Sequence, residues 1–116
     1  MQIKGSYRWN ELSLKAEGHA KREPEGTAYA CSKISIITQM LAKSVVEYLG
    51  SLADVYADYR ADQGLFELIV HTDSLPDRNQ QDLMLLFEMA HAGLDIVKNQ
   101  YPDALELEWE LEMSQE

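Results

Sequence analysis

The chain has one cysteine among its 116 residues, Cys31, so an internal disulfide is excluded. A lone thiol of this kind suits a reducing cytoplasm, which is the expected compartment. Prolines number 3 and glycines 6, too few for a collagen-like or low-complexity chain. No apolar run approaches the roughly 20 residues that a membrane-spanning helix needs. The opening MQIKGSYRWNELSLK alternates polar with apolar residues and lacks the apolar block of a signal peptide. Basic residues are scarce: 10 Lys and Arg stand against 20 Asp and Glu, a net charge of -10. Such a surface repels phosphate backbones, so nucleic acid is not an expected partner, whereas a basic protein or peptide would be attracted. Neither GxGxxG nor GxxxxGK[ST] occurs, and the 3 histidines stand in no HExxH or CxxC-like spacing. No cofactor and no metal is expected.

What is present is ordinary globular material, 46% hydrophobic and 26% charged. A chain of this length buries roughly 65% of its unfolded surface, enough for one domain, residues 1–116, to fold without disulfide or metal. Two strands are expected over 1–9 and 11–17, the second from the alternation of Leu12, Leu14 and Ala16 with Ser13, Lys15 and Glu17. Asn10 is the turn between them, and Gly18 ends the second. Residues 19–27 carry Lys21, Arg22, Glu23, Pro24, Glu25 and Gly26, a charged and broken stretch that reads as a loop able to cover and uncover what lies beneath. From about Ala28 to Leu49, Cys31, Ile34, Thr38, Leu41, Val45 and Leu49 recur at three- and four-residue steps on one helical face. Thr27 is a plausible cap, and Gly50 a plausible stop.

Residues 52–60 and 65–71 suggest a second strand pair, the first of them ambiguous because Ala and Asp are poor strand formers. Ser74-Leu75-Pro76-Asp77 opens a helix of about Asp77–Asn99, with Leu83, Leu86, Phe87, Ala90, Leu94, Val97 and Tyr101 on one side and Pro102 beyond its end. Leu105, Leu107, Trp109 and Leu111, alternating with Glu106, Glu108, Glu110 and Glu112, make a last strand with one greasy and one wet face. The order is ββαββαβ. An α+β two-layer sandwich follows, both helices on one face of a largely antiparallel sheet.

The chemistry concentrates between Gly18 and Ser35, GHAKREPEGTAYACSKIS. A thiol near a helix start has its thiolate favoured by unpaired amides and the helix dipole, and an imidazole can take its proton and return it to a leaving group. His19, at the end of a strand, and Cys31, twelve positions on and at the start of a helix, fit those two roles. His71 ends a strand and reads as a turn residue; His91 sits mid-helix at a core edge or in solvent. Tyr7, Trp9, Phe66 and Trp109 read as core, and the Glu106–Glu112 carboxylates as the solvated face of a strand.

Gly18-His19-Ala20, then Gly26, then Cys31-Ser32-Lys33-Ile34-Ser35 resembles the GHA…G…C[AS]xxS signature of the ribosomal-processing cysteine proteases, the Prp or YsxB-like family. Length and element order resemble that family as well. The resemblance implies a cytoplasmic bacterial endopeptidase, usually a homodimer, that removes an N-terminal extension from a large-subunit ribosomal protein. It implies Cys31 as nucleophile and His19 as general base, with Gly18, Ala20, Gly26, Ser32 and Ser35 supporting the site or the substrate loop. Ala28 departs from the pattern, since the family usually carries Asp three positions before the cysteine; Ser32 stands where Ala is usual. These departures suggest a divergent member. Its substrate could then differ, as for a phage capsid-module protein, and a non-catalytic peptide-binding module is the alternative.

Overall fold

The computed structural model of the protein describes residues 1–8, 10–18, 27–50, 55–60 and 64–112, with the backbone alone at 27–29 and 112. Alternating side chains set the first two strands. In β1 (Gln2–Arg8) and β2 (Glu11–Glu17) every second residue is buried: Ile3, Gly5 and Tyr7, then Leu12, Leu14 and Ala16. The two pair antiparallel from Arg8↔Glu11 to Gln2↔Glu17, and the Asn10 carbonyl in the turn accepts the Thr72 N–H at 3.0 Å. α1 (Thr27–Leu49) begins at the expected cap position and ends where Gly50, at φ 57°, donates its N–H to the Val46 carbonyl. That left-handed conformation is one glycine adopts at little cost.

β3 (Val55–Arg60) and β4 (Leu65–His71) form an antiparallel pair; the expected residues 52–54 lie outside the described ones. α2 (Asp77–Gln100) starts after Pro76 and ends before Pro102, whose ring cannot continue a helix. Lys98 Nζ then donates to the carbonyls of Pro102 and Leu105, each at 2.6 Å, satisfying backbone just beyond the helix end. β5 (Glu106–Glu112) runs parallel to β1, giving the sheet order β3-β4-β2-β1-β5. Every other pairing is antiparallel.

One face of this sheet carries the helices. Ile34, Leu41, Val45 and Leu49 of α1 and Leu83, Phe87, Ala90, Leu94 and Val97 of α2 are buried in one cluster with the inward residues of β1, β2 and β4. Thr38 is buried among them with its hydroxyl donated to the Ile34 carbonyl at 2.9 Å, so that hydroxyl is not stranded. The helices run antiparallel and are tied at both ends. Lys33 Nζ donates to Gln100 Oε1 and Tyr101 Oη, and Tyr48 Oη donates to Asp82 Oδ2 while accepting from Asn79 Nδ2. Between those ties Gly93 leaves room for Ile37, whose Cδ1 would stand 3.2 Å from an added Cβ.

The opposite sheet face is polar, with exposed pairs such as Lys4–Glu110 and Lys15–Glu17 that contribute little to stability. The last strand departs from its expected pattern. Leu105 is buried and Leu107 and Trp109 half-buried, but Leu111 is 71% exposed, because the helical layer does not extend over the end of this edge strand. A further apolar surface lies on the outer side of the helices: Ile36 and Met40 of α1, and Leu85, Met89 and Ile96 of α2, are each more than half exposed.

Candidate functional site

The first three turns of α1 supply three polar side chains, Cys31, Ser32 and Ser35, to one place. A helix leaves its first four N–H groups without intrahelical partners, and Cys31 follows those four directly. It is a free thiol, half-buried, not sealed in the core. Its neighbours on the helical face, Ala30 and Ile34, are fully covered, so the chain descends into the core on either side of the sulfur.

The opposing wall comes from the sheet. Gly18, where the backbone leaves β2, sits at φ 94°, a conformation costly for any side-chain-bearing residue. Its N–H donates to the carbonyl of Gly64, itself at φ 62°, at 2.9 Å. The end of β2 is thereby pinned to the start of β4. Between this pin and α1 lies a cleft of about 460 Å³ lined by Cys31, Ser32, Ser35 and Gly18, with Ile36, Tyr59, Leu65 and Phe66 as its apolar walls. A cleft of this size holds several residues of an extended peptide or a comparable small molecule.

Ser35, which lines it, joins two other side chains. Its Oγ accepts from Gln39 Nε2 at 2.7 Å and lies 3.0 Å from Tyr59 Oη. Tyr59 reaches it from β3 across the sheet edge, its ring edge-on to Phe66 at 6.4 Å. No pattern in β3 singles out Tyr59; the Ser35–Gln39 spacing signals only that two hydrogen-bonding side chains share neighbouring turns of one helix.

Of the expected site residues, the structure brings Gly18, Cys31, Ser32 and Ser35 into one cleft. His19, Ala20 and Gly26 lie outside the described residues, as does Trp9. The two described histidines are elsewhere. His71 ends β4 with its Nδ1 3.9 Å from Glu11. His91 stacks on the Trp109 indole at 4.0 Å, with Nε2 3.5 Å from Asp95. Among the described residues no group of three His, Cys, Asp or Glu side chains is arranged to hold a metal ion. No described helix is long and apolar enough to cross a membrane.

Known proteins share this fold. The family model described as cysteine protease Prp matches residues 3–106. Similar folds include an S. aureus structure described as an essential ribosomal processing protease Prp in complex with a substrate peptide, with a TM-score of 0.70 at 12% identity, covering 93% of this chain and 97% of that one. SMU.848 from Streptococcus mutans superposes with a TM-score of 0.68 at 17% identity, covering 96% and 94%. The S. aureus protease with a covalently linked product peptide gives 0.60 at 16% identity, covering 93% and 97%. A search of curated protein sequences finds no match.

Proposed function

The chain belongs to the Prp cysteine protease family, and on that premise we propose that it is a cysteine endopeptidase whose nucleophile is Cys31 and whose general base is His19. The observation that carries the proposal is the half-buried, unpaired thiol at the start of α1, opening on a cleft of peptide size. Neither described histidine lines that cleft, and His19 is next in sequence to the cleft residue Gly18, which supports it as the imidazole of the pair.

In the proposed mechanism the Cys31 thiolate attacks a peptide carbonyl, and amides at the start of α1 help hold the oxyanion. The C–N bond then breaks as His19 gives its proton to the departing amine, leaving an acyl-enzyme. Water, deprotonated by the same imidazole, releases the acyl fragment and restores the thiol. Ala20 and Gly26 belong to the stretch that would close over the peptide and exclude water. The family relationship points to the N-terminal extension of a large-subunit ribosomal protein as substrate, a bacterial cytoplasm as the compartment and a homodimer as the working form. The exposed stripe of Ile36, Met40, Leu85, Met89 and Ile96 supports the last of these, since a monomer gains nothing by leaving such a surface wet.

The test is the rate of Cys31 alkylation by iodoacetamide against pH, for the native chain and for His19→Ala, alongside mass-spectrometric cleavage of the ribosomal precursor. Fast alkylation that persists below the ordinary thiol range near pH 8.5 and slows in His19→Ala is the expected result. Cysteine-dependent cleavage, lost in Cys31→Ala, accompanies it. An ordinary, slow thiol in both proteins and no cleavage would instead assign the cleft to peptide binding alone, consistent with Ala28 at the position where the family usually has Asp.

A further inference from the structure

Two hydroxyls meet at the cleft wall, apart from the cysteine chemistry. Ser35 Oγ already accepts a hydrogen from Gln39 Nε2 at 2.7 Å. It lies 3.0 Å from Tyr59 Oη, and either hydroxyl can donate to the other. Only one hydrogen can lie on the line between them. The Ser35 and Tyr59 hydroxyls make no other hydrogen bond with the described residues. Two hydroxyl hydrogens therefore serve one mutual bond, and one is left uncommitted: on Ser35 when Tyr59 donates, on Tyr59 when Ser35 donates. Both side chains line the cleft that holds Cys31, and neither is buried.

We infer that Ser35 and Tyr59 act as a single, interchangeable hydrogen-bond donor that binds a backbone carbonyl of the peptide in the cleft; this rests on the peptide-cleaving role proposed for the site. Gln39 sharpens that donor. A hydroxyl that accepts one hydrogen bond gives its own hydrogen more strongly, so the chain from Gln39 through Ser35 to Tyr59 polarises whichever O–H is free. An extended peptide offers carbonyl acceptors at every residue, and the apolar walls at Ile36, Leu65 and Phe66 suit an aliphatic side chain next to the bound carbonyl. Tyr59 belongs to an edge strand, so its ring and hydroxyl are held beside the cleft without blocking it.

Tyr59→Phe leaves Ser35 with a free hydrogen, and Ser35→Ala leaves Tyr59 with one, so either single change keeps a donor. Only the double change removes it. The dissociation constant of a fluorescein-labelled hexapeptide, alanine throughout but for one central leucine, is measured by anisotropy in four proteins. These are Cys31→Ala and the same chain with Ser35→Ala, Tyr59→Phe or both. Each single change is expected to weaken binding by no more than about twofold. The double change is expected to weaken it about tenfold, well beyond the product of the singles, as a shared interaction requires. Thermal midpoints within about 2 °C across the four exclude a structural cause, and these part-exposed hydroxyls leave the core untouched when removed.

A double variant no weaker than the product of the singles would overturn the inference, as would a Cys31→Ala parent that binds no hexapeptide. Because none of the four proteins can cleave, the outcome is separate from the thiol test. Coupled loss of binding with an inert Cys31 upholds the shared donor and overturns the protease. Additive losses with an activated Cys31 do the reverse.

Discussion

Gly5 has no side chain because Trp109 occupies the space one would need. A Cβ built there falls 2.0 Å from Cζ3 of the indole, far inside contact distance. The parallel register sets Gly5 opposite Trp109, and the ring is itself capped by Tyr7 at 5.1 Å and His91 at 4.0 Å. Gly5→Ala must displace the indole, and overpacking of this kind costs about 1–3 kcal/mol, measurable as a lower urea midpoint at unchanged slope. In a Trp109→Leu background the same change should cost distinctly less, because the two residues share one space.

Tyr7 beside it is buried with a hydroxyl that makes no hydrogen bond among the described residues. Burial first, then the Glu88 and Asp95 carboxylates, raises its pKa above the ordinary phenol value. The neutral phenol is therefore the form that folding favours. Its contribution is complete below the unfolded value near pH 10 and is lost as pH rises through the raised folded one. Tyr7→Phe is expected to be neutral or stabilising by about 1 kcal/mol at pH 7, since it removes an unsatisfied group. Between pH 9 and 11 the variant should lose less stability than the native chain in urea titrations.

At the scale of elements, α1 shows how sharply a helix divides its surface. Val45 is fully buried and its neighbour Val46 is 48% exposed. The same substitution to Ala should cost about 2 kcal/mol at Val45, from lost transfer energy and a cavity, and under about 0.5 kcal/mol at Val46. Chemical denaturation of the pair reads the difference directly. This division was legible in the chain itself. Ile34, Thr38, Leu41, Val45 and Leu49 declared one face, and Gly50 and Pro102 marked the ends of the two helices. β3 was harder to read because an edge strand has little to bury; Tyr56, Ala57 and Tyr59 are exposed, so no clean alternation is written there.

Contacts between distant segments were not legible at all. Nothing local to Gly5 announces Trp109, and nothing in β3 announces that Tyr59 will reach Ser35, because each depends on strand order set by the whole sheet. The thiol was found from its place near a helix start, which is a local feature, and Ser35 from the short motif it shares with Cys31. The cleft's opposing wall, with Gly64, Leu65 and Phe66, comes from a strand more than thirty positions downstream of Cys31 and needed the fold.

The whole molecule leaves a set of large apolar side chains exposed on its outer helical layer. A second copy seated there would cover Met40 and Met89, which are 59% and 63% exposed. A glutamate at position 89 would bring like charges together across a twofold axis and bury them. Met89→Glu is expected to raise the dimer dissociation constant at least tenfold in sedimentation equilibrium, with an unchanged far-UV circular dichroism spectrum. A native chain that sediments as a monomer at micromolar concentration would remove the homodimer from the proposal.

The parallel seam between β1 and β5 also governs how the protein comes off the translating ribosome. β1 is made about a hundred residues before β5, so one of its two edges stays unpaired until residues 106–112 have been synthesised, with Ile3↔Leu107 the sort of distant pairing that closes last. Until then the slot over Gly5 has no indole to fill it, and the backbone of β1 is open to any extended chain nearby. A nascent chain stalled before residue 106 would carry its stickiest surface in the middle of what becomes the sheet, which makes it a ready client for chaperones and for its own kind.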